Sequence, residues 1–476
     1  MLIAEQDHRG WDAVEMARLV RAGEVTPADL AETARALIER WAGLNAVAAV
    51  ADPDAAVPGH PATAGPLAGV PVAVKELLAW PGLPWTMGSR LMAGTPAPGV
   101  SPYAARLRDA GLAVVCSATS SEFGLLGSTE TALHGETLNP WRAGLSAGGS
   151  SGGSAALVAA GIVPLAHGND GGGSLRVPAA LTGVFGFKPS NRRCVPTGPD
   201  LPGLPALVVD HCMSRSVRDS AHLLAATERT GPDAVHPPIG LVTGPDPRRL
   251  RIAVLVPTLT GRQPDEAVRR ELERAAGLCA SLGHRVDVTD APDVDGAAVS
   301  QGFFTAAALT MTQVAEAFAP VLGRPPGPAE LEPFTLELID WAATLGPDAP
   351  AAAERAFAAA ARAYLRLFRR WDVVLSPTLA RTSWPLGHLA PAAGRETLIR
   401  RTEEAVGYTP IHNVAGCPAM SLPLGRDDGL PVGIHAAAAP GADRVLLALA
   451  YELEAAAPWA GTRPDLTWLA TSSPSA

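Results

Sequence analysis

The chain has 476 residues, of which 47% are hydrophobic and 18% charged, with a formal net charge of −9. At about 100–200 residues per domain, this length allows two or three domains or one large α/β unit, with ample apolar material for a core. The acidic balance and the lack of any Lys/Arg-rich run argue against a nucleic-acid partner. The longest apolar stretch, residues 155–166, is broken by Gly161 and Pro164 and is too short to span a bilayer, so no membrane partner is expected. The opening MLIAEQDHRG has no charged segment leading into an apolar one, so it does not read as a secretion signal. Cys116, Cys194, Cys212, Cys279 and Cys417 are scattered, with the spacing of neither a zinc site nor a disulfide framework. A cytoplasmic, reducing location fits them, and no metal or organic cofactor is called for.

In chain order, the first 50 residues read as helices, one of them capped by Thr26 with Pro27 in its first turn. PLAGVPVAVK, residues 66–75, reads as a strand ending on a lysine. Residues 102–110 read as a helix and Leu112–Cys116 as a short buried strand. GLSAGGSSGGS then leads into the helical SAALVAAGI and the strand VPLAH; GNDGGGS follows, and then the helical LRVPAAL. Both glycine-rich turns stand where a helix begins and leaves backbone N–H groups unpaired. RIAVLVP, an amphipathic helix over 265–282 with Val268, Leu272, Ala275, Ala276 and Cys279 on one face, and HRVDV make a β-α-β unit. Residues 318–350, rich in Pro and Gly, read as a pocket rim or lid. A helix over 351–370, the strand DVVLSPT and the strands in NVAGCPAMSLPLG and LPVGIHAAAA complete the chain. Helices alternating with short apolar strands indicate an α/β fold.

Only two lysines occur among the 38 basic residues, Lys75 and Lys188. Arginine stays protonated in proteins, whereas a desolvated lysine can lose its proton near neutral pH. Lys75 ends an apolar run and is therefore a candidate base. Lys188, in VFGFKPS, reads as structural, pairing with a carboxylate or with carbonyls.

Three nucleophile readings compete. Gly144-Leu145-Ser146-Ala147-Gly148 matches a G-x-S-x-G elbow, but a turn precedes it and more glycine follows, where the elbow needs a strand and a helix. Neither glycine-rich turn has the Gly-Lys-Ser/Thr ending of a phosphate loop or G-x-G-x-x-G between strand and helix. The third reading is acyl transfer at Ser174, whose N–H, with those of Gly171, Gly172 and Gly173, could converge on an oxyanion; such donors are typically worth about 3–4 kcal/mol each. A serine needs a base. His167 is near in sequence but reads as a strand-end residue, and no His–Asp arrangement is evident.

GGSSGGSAALVAAGIVPLAHGNDGGGSLRVPAALTGVFGFKPS resembles the signature segment of the amidase-signature family, and GVPVAVKE resembles that family's lysine segment. VRAGEVTPADLAETARALIE, SSEFGLLGSTE and NVAGCPAMSLPLG extend the resemblance over most of the chain. It implies an α/β/α fold with a large mixed sheet, one domain over 1–476, and a catalytic region over 65–215. Carried over by position, Lys75 is the catalytic lysine, Ser150 the serine after a cis peptide bond, and Ser174 the nucleophile. Gly171, Gly172, Gly173 and Ser174 form the oxyanion loop, Asp170 and Arg176 brace it, and Ser151 helps hold Ser150. The usual T-D-T-G-G-S reads Asn169-Asp170-Gly171-Gly172-Gly173-Ser174 here, as in the branch that includes 6-aminohexanoate cyclic-dimer hydrolases. Val177 replaces the glutamine associated with the glutamyl-tRNA amidotransferase subunit, which argues against that role. The implied activity is hydrolysis of a carboxamide, lactam or related small-molecule amide through an acyl-serine. An acyltransferase or esterase on the same scaffold is the alternative, a non-catalytic interaction protein is disfavoured because no catalytic position is lost, and a homodimer is compatible with the resemblance.

Overall fold

The computed structural model describes residues 3–52, 65–198 and 204–471, so residues 199–203 of the 65–215 region lie outside it. Among the described residues the strands are β1 (Val47–Val50), β2 (Pro71–Lys75), β3 (Ala113–Ala118), β4 (Glu130–Thr131), β5 (Gly135–Glu136), β6 (Leu165–Asp170), β7 (Phe185–Lys188), β8 (Val209–Ser214), β9 (Arg251–Val254), β10 (Arg285–Val288), β11 (Val373–Pro377), β12 (Ala419–Asp427) and β13 (Leu430–Ala438). β4 and β5 pair separately; the rest form one 11-stranded sheet in the order β1-β3-β2-β6-β8-β7-β12-β13-β11-β9-β10. β2 is parallel to β3 and β6, and β9 to β10 and β11. The pairs from β6 through β8, β7, β12 and β13 to β11 are antiparallel, so the sheet is mixed.

β2 shows why this sheet is covered twice. Its five residues are all buried, as expected of an apolar run with no solvent face. Side chains alternate across a strand. Val72 and Val74 accordingly join a core with Met16, Leu107, Leu272 and Leu446, while Ala73 joins a second core with Ala34, Leu37 and the helix Gly152–Ala159. The fold is therefore helix–sheet–helix, as the sequence implies. No helix among the described residues is long and apolar enough to cross a membrane.

Local signals hold where they have a mechanism. Thr26 caps the helix Pro27–Arg40 in a reciprocal capping box with Asp29, and Pro27 stands in its first turn. Glu266–Ser281 buries Val268, Leu272, Ala275 and Cys279, with Ala276 half-buried at the edge of the stripe. It connects β9 to the parallel β10. The all-helical reading of the first 50 residues needs one correction: Val47–Val50 is an edge strand on β3. A short apolar run has no period that separates strand from helix, and pairing with β3 decides it.

Lys188 ends β7, fully buried, and donates to the carbonyl of Pro189 (2.8 Å) and to Asn191 Oδ1 (2.9 Å). These are neutral oxygens, one a backbone carbonyl, and burial with the neighbouring Arg176 charge pushes the ammonium down to about 8. Lys188→Met should lower stability by about 1–3 kcal/mol, the cost of leaving buried acceptors unpaired, while changing the rate per folded molecule much less. Thermal denaturation alongside active-site-normalised turnover checks both halves.

Candidate active site

β2, the third strand from one edge of the sheet, carries Lys75 at its end, between β3 and β6. Its Nζ lies 2.6 Å from Ser150 Oγ and 2.6 Å from Asn169 Oδ1. The side chain is fully buried, and both direct partners are neutral. Burial pulls the amine down from its ordinary 10.5 to about 7, against the opposing pull of the Asp210, Glu76 and Asp170 carboxylates. Glu76 follows Lys75 in sequence but turns elsewhere: its carboxylate accepts from the Ser120 N–H (2.6 Å) and the Thr86 hydroxyl and lies 2.9 Å from His134 Nε2.

Ser150 is presented by the turn that enters the helix Gly152–Ala159, and the Gly149–Ser150 peptide bond is cis. Thr129 Oγ1 donates to the Gly148 carbonyl (2.9 Å) and accepts from the Gly152 N–H (3.1 Å), clamping the turn from both sides. A side chain at Gly149 would stand 2.5 Å from the Ser128 carbonyl, so the backbone there is closely covered. Ser151 is buried, and its Oγ donates to the Asn169 carbonyl at 3.4 Å.

The 169–176 loop is built on a buried ion pair. Arg176 grips both Asp170 oxygens, Nε to Oδ2 at 2.9 Å and Nη2 to Oδ1 at 2.8 Å. It reaches on to the Thr409 carbonyl (3.0 Å) and Asn413 Oδ1 (2.8 Å). Burial would raise Asp170, but the guanidinium outweighs it and holds the carboxyl below the usual carboxylate range. Asp170 in turn accepts from the N–H groups of Gly173 (2.7 Å) and Leu175 (3.1 Å), and Thr409 Oγ1 donates to the Gly172 carbonyl (2.6 Å).

The Gly173 N–H, expected among the oxyanion donors, is donated to Asp170 in this structure. Among the described residues no protein acceptor takes the N–H of Gly171, Gly172 or Ser174. Gly173 has a different role: at φ +141°, with a hypothetical Cβ only 2.3 Å from Thr409 Oγ1, the position admits glycine alone.

Ser150, Asn169, Gly171, Gly172 and Ser174 share the wall of one cavity of about 1060 Å³. The Ser174 hydroxyl has no protein hydrogen bond among the described residues and is half-buried on that wall. Most of the remaining lining is apolar, including Trp85, Phe123, Phe303, Met311 and Phe334. Phe318 and Phe334 come from the 318–350 segment, which carries the end of the helix Gly296–Leu322 and the helix Pro333–Ala342. Glu122, just before the lining residues Phe123 and Gly124, holds this segment in place, accepting from Ser89 Oγ (2.6 Å), the Glu332 N–H (3.1 Å) and the Thr335 hydroxyl.

The rival nucleophile and base are otherwise engaged. Ser146 Oγ is buried and accepts from the Gly148 N–H (3.1 Å). His167 lies inside β6, not at its end, and it does belong to a His–Asp pair. Its Nδ1 accepts the Lys75 backbone N–H (3.3 Å), so Nε2 carries the proton and donates to Asp210 Oδ1 (3.1 Å). No nitrogen is left to take a proton from a serine. Asp210, Glu122, Thr409 and Asn413 were not singled out from the sequence, where nothing but the fold brings them to the site. Among the described residues no group of three or more His, Cys, Asp or Glu side chains is placed to hold a metal.

Comparisons with known proteins point to one family. A family model described as Amidase matches residues 30–447. The AmiC protein of Mycobacterium tuberculosis is 38% identical, covering 94% of this chain and 95% of its own. The 6-aminohexanoate-cyclic-dimer hydrolase of Paenarthrobacter ureafaciens is 33% identical over 96% of each chain. A solved 6-aminohexanoate cyclic dimer hydrolase, complexed with its substrate, superposes with a TM-score of 0.87 at 30% identity, covering 96% of this chain and 99% of that one. A bacterial aryl acylamidase of the amidase-signature family superposes at 0.83 with 26% identity, covering 98% and 99%. The chain belongs to the amidase family of amide-hydrolysing enzymes.

Proposed function

We propose that this chain hydrolyses a carboxamide, lactam or related amide through an acyl-enzyme on Ser174, with Ser150 as proton relay and Lys75 as base. The observation that carries the reading is the 2.6 Å contact between a fully buried lysine amine and a serine hydroxyl on the cavity wall. Neutral Lys75 takes the Ser150 proton as Ser150 takes that of Ser174. Ser174 Oγ then attacks the amide carbon. The N–H groups of Gly171, Gly172 and Ser174 are the donors left for the oxyanion, in a loop fixed beforehand by Asp170, Arg176 and Thr409, so little reorganisation accompanies charge development. The relay protonates the leaving amine, and water attacks the acyl-serine to release the acid.

The cavity supports a bulky, predominantly apolar amide. Its volume of about 1060 Å³ is slightly above the usual range for ligand pockets, about 300–1,000 Å³. The 318–350 segment acts as its rim, and its ties to Glu122 favour a fixed wall over a free lid. Five buried, unpaired thiols are consistent with a reducing cytosol.

A fluorophosphonate should add one label per chain, on the peptide containing Ser174; a label on Ser146 would overturn the assignment. Ser174→Ala and Lys75→Ala should each abolish most turnover in folded protein, and Ser150→Ala should retain more than either, because water can stand in for a relay hydroxyl. The charge state sets the pH dependence. Only neutral Lys75 accepts a proton, and its pKa is lowered to about 7, so kcat/KM on a stable anilide should fall about tenfold per unit below that pH and level off above it. A limb still rising beyond pH 10 would mean a solvated lysine and a different base.

A further inference from the structure

Asn169 is placed where the T-D-T-G-G-S pattern carries threonine. Its Oδ1 accepts from Lys75 Nζ at 2.6 Å, as close as Ser150 Oγ. Among the described residues Lys75 Nζ donates to no third acceptor, and the amide nitrogen of Asn169 donates to no protein group. The residue lines the cavity, anchored through its backbone, whose carbonyl accepts from Ser151 Oγ.

A neutral amine has two N–H bonds and one lone pair. To act as a base, Lys75 must turn the lone pair, and not an N–H, toward the Ser150 hydroxyl. An amide oxygen only accepts, so the contact with Asn169 is satisfied by an N–H alone. That takes up one of the three positions around Nζ, so the lone pair lies either toward Ser150, ready to take its proton, or in the one direction with no protein partner. An acidic side chain at this place would fix the same rotamer but hold the proton on nitrogen. A hydroxyl, which both donates and accepts, would not distinguish lone pair from N–H.

We propose that Asn169 is a positioning residue for the base: its side-chain oxygen holds one N–H of the neutral Lys75 amine, keeps the lone pair from turning that way and so leaves it available to Ser150. The inference rests on the assignment of Lys75 as base and adds the reason a carboxamide stands beside it.

The test is the pH profile of kcat/KM, with kcat and KM separated, for wild type, Asn169→Ala, Asn169→Asp and Lys75→Ala, with circular dichroism confirming that each is folded. Asn169→Ala should lower the high-pH plateau of kcat by about tenfold or more, since small misplacements of reacting groups can cost ~10²-fold, and leave KM within about twofold. Asn169→Asp places a negative charge against Nζ and should move the acid limb upward by about one pH unit or more, because an adjacent opposite charge favours the ammonium. A residue that merely filled space would move neither the limb nor kcat selectively. If Asn169→Ala keeps the wild-type plateau, or Asn169→Asp the wild-type limb, the positioning role is wrong. An active Lys75→Ala would overturn the base assignment and this inference together; an inert Lys75→Ala beside an unperturbed Asn169→Ala would overturn this inference alone.

Discussion

The site depends on the withdrawal of one amine from water. Lys75 is buried at the end of an interior strand with two neutral oxygens as its contacts, and loss of hydration is the largest influence on its protonation. The surrounding hydrogen bonds serve this condition. Asp210 and Glu76 are near enough to favour the ammonium, yet each carboxylate is occupied. Asp210 is held by His167 and by Thr197 Oγ1 (3.1 Å), and Glu76 by Ser120 and Thr86, with His134 alongside. A carboxylate swung into contact with Nζ would offset the lost hydration, and the amine would stay protonated near neutral pH.

The second requirement is a rigid loop of bare backbone. The Asp170–Arg176 pair is fully buried, and such pairs offset their desolvation only with good geometry and additional hydrogen bonds. Both are present: bidentate contact, two backbone N–H groups on the carboxylate, and Thr409 and Asn413 on the guanidinium. The segment around 409–413 thus joins the end of β6 to the stretch just before β12. Backbone groups on one side of the loop are fixed by these contacts, and others face the cavity.

Much of this was legible in the sequence because it is local. A lysine closing an apolar strand, a serine after three glycines and a capping box each carry their physical reason within a few residues. What escaped was long-range or conformational. Asp210 meets His167 only because β6 and β8 pair antiparallel, and Glu122 meets Thr335 across 213 positions. The Gly173 N–H looked equivalent to its neighbours until the fold turned Asp170 back upon it. Asn169 was visible as a departure from the usual pattern, but its significance required knowing that its side chain reaches Nζ. The edge strand Val47–Val50 failed for a similar reason, since only pairing with β3 distinguishes it.

With only two lysines in the chain, the amine can be observed directly. Protein carrying ¹³Cε-labelled lysine gives two signals to follow against pH, assigned by loss of one in Lys75→Ala and of the other in Lys188→Met. The Lys75 signal should titrate near pH 7, below that of Lys188 near 8. A Lys75 titration at or above the ordinary 10.5 would contradict the account, because the amine would then be an ammonium throughout the working range.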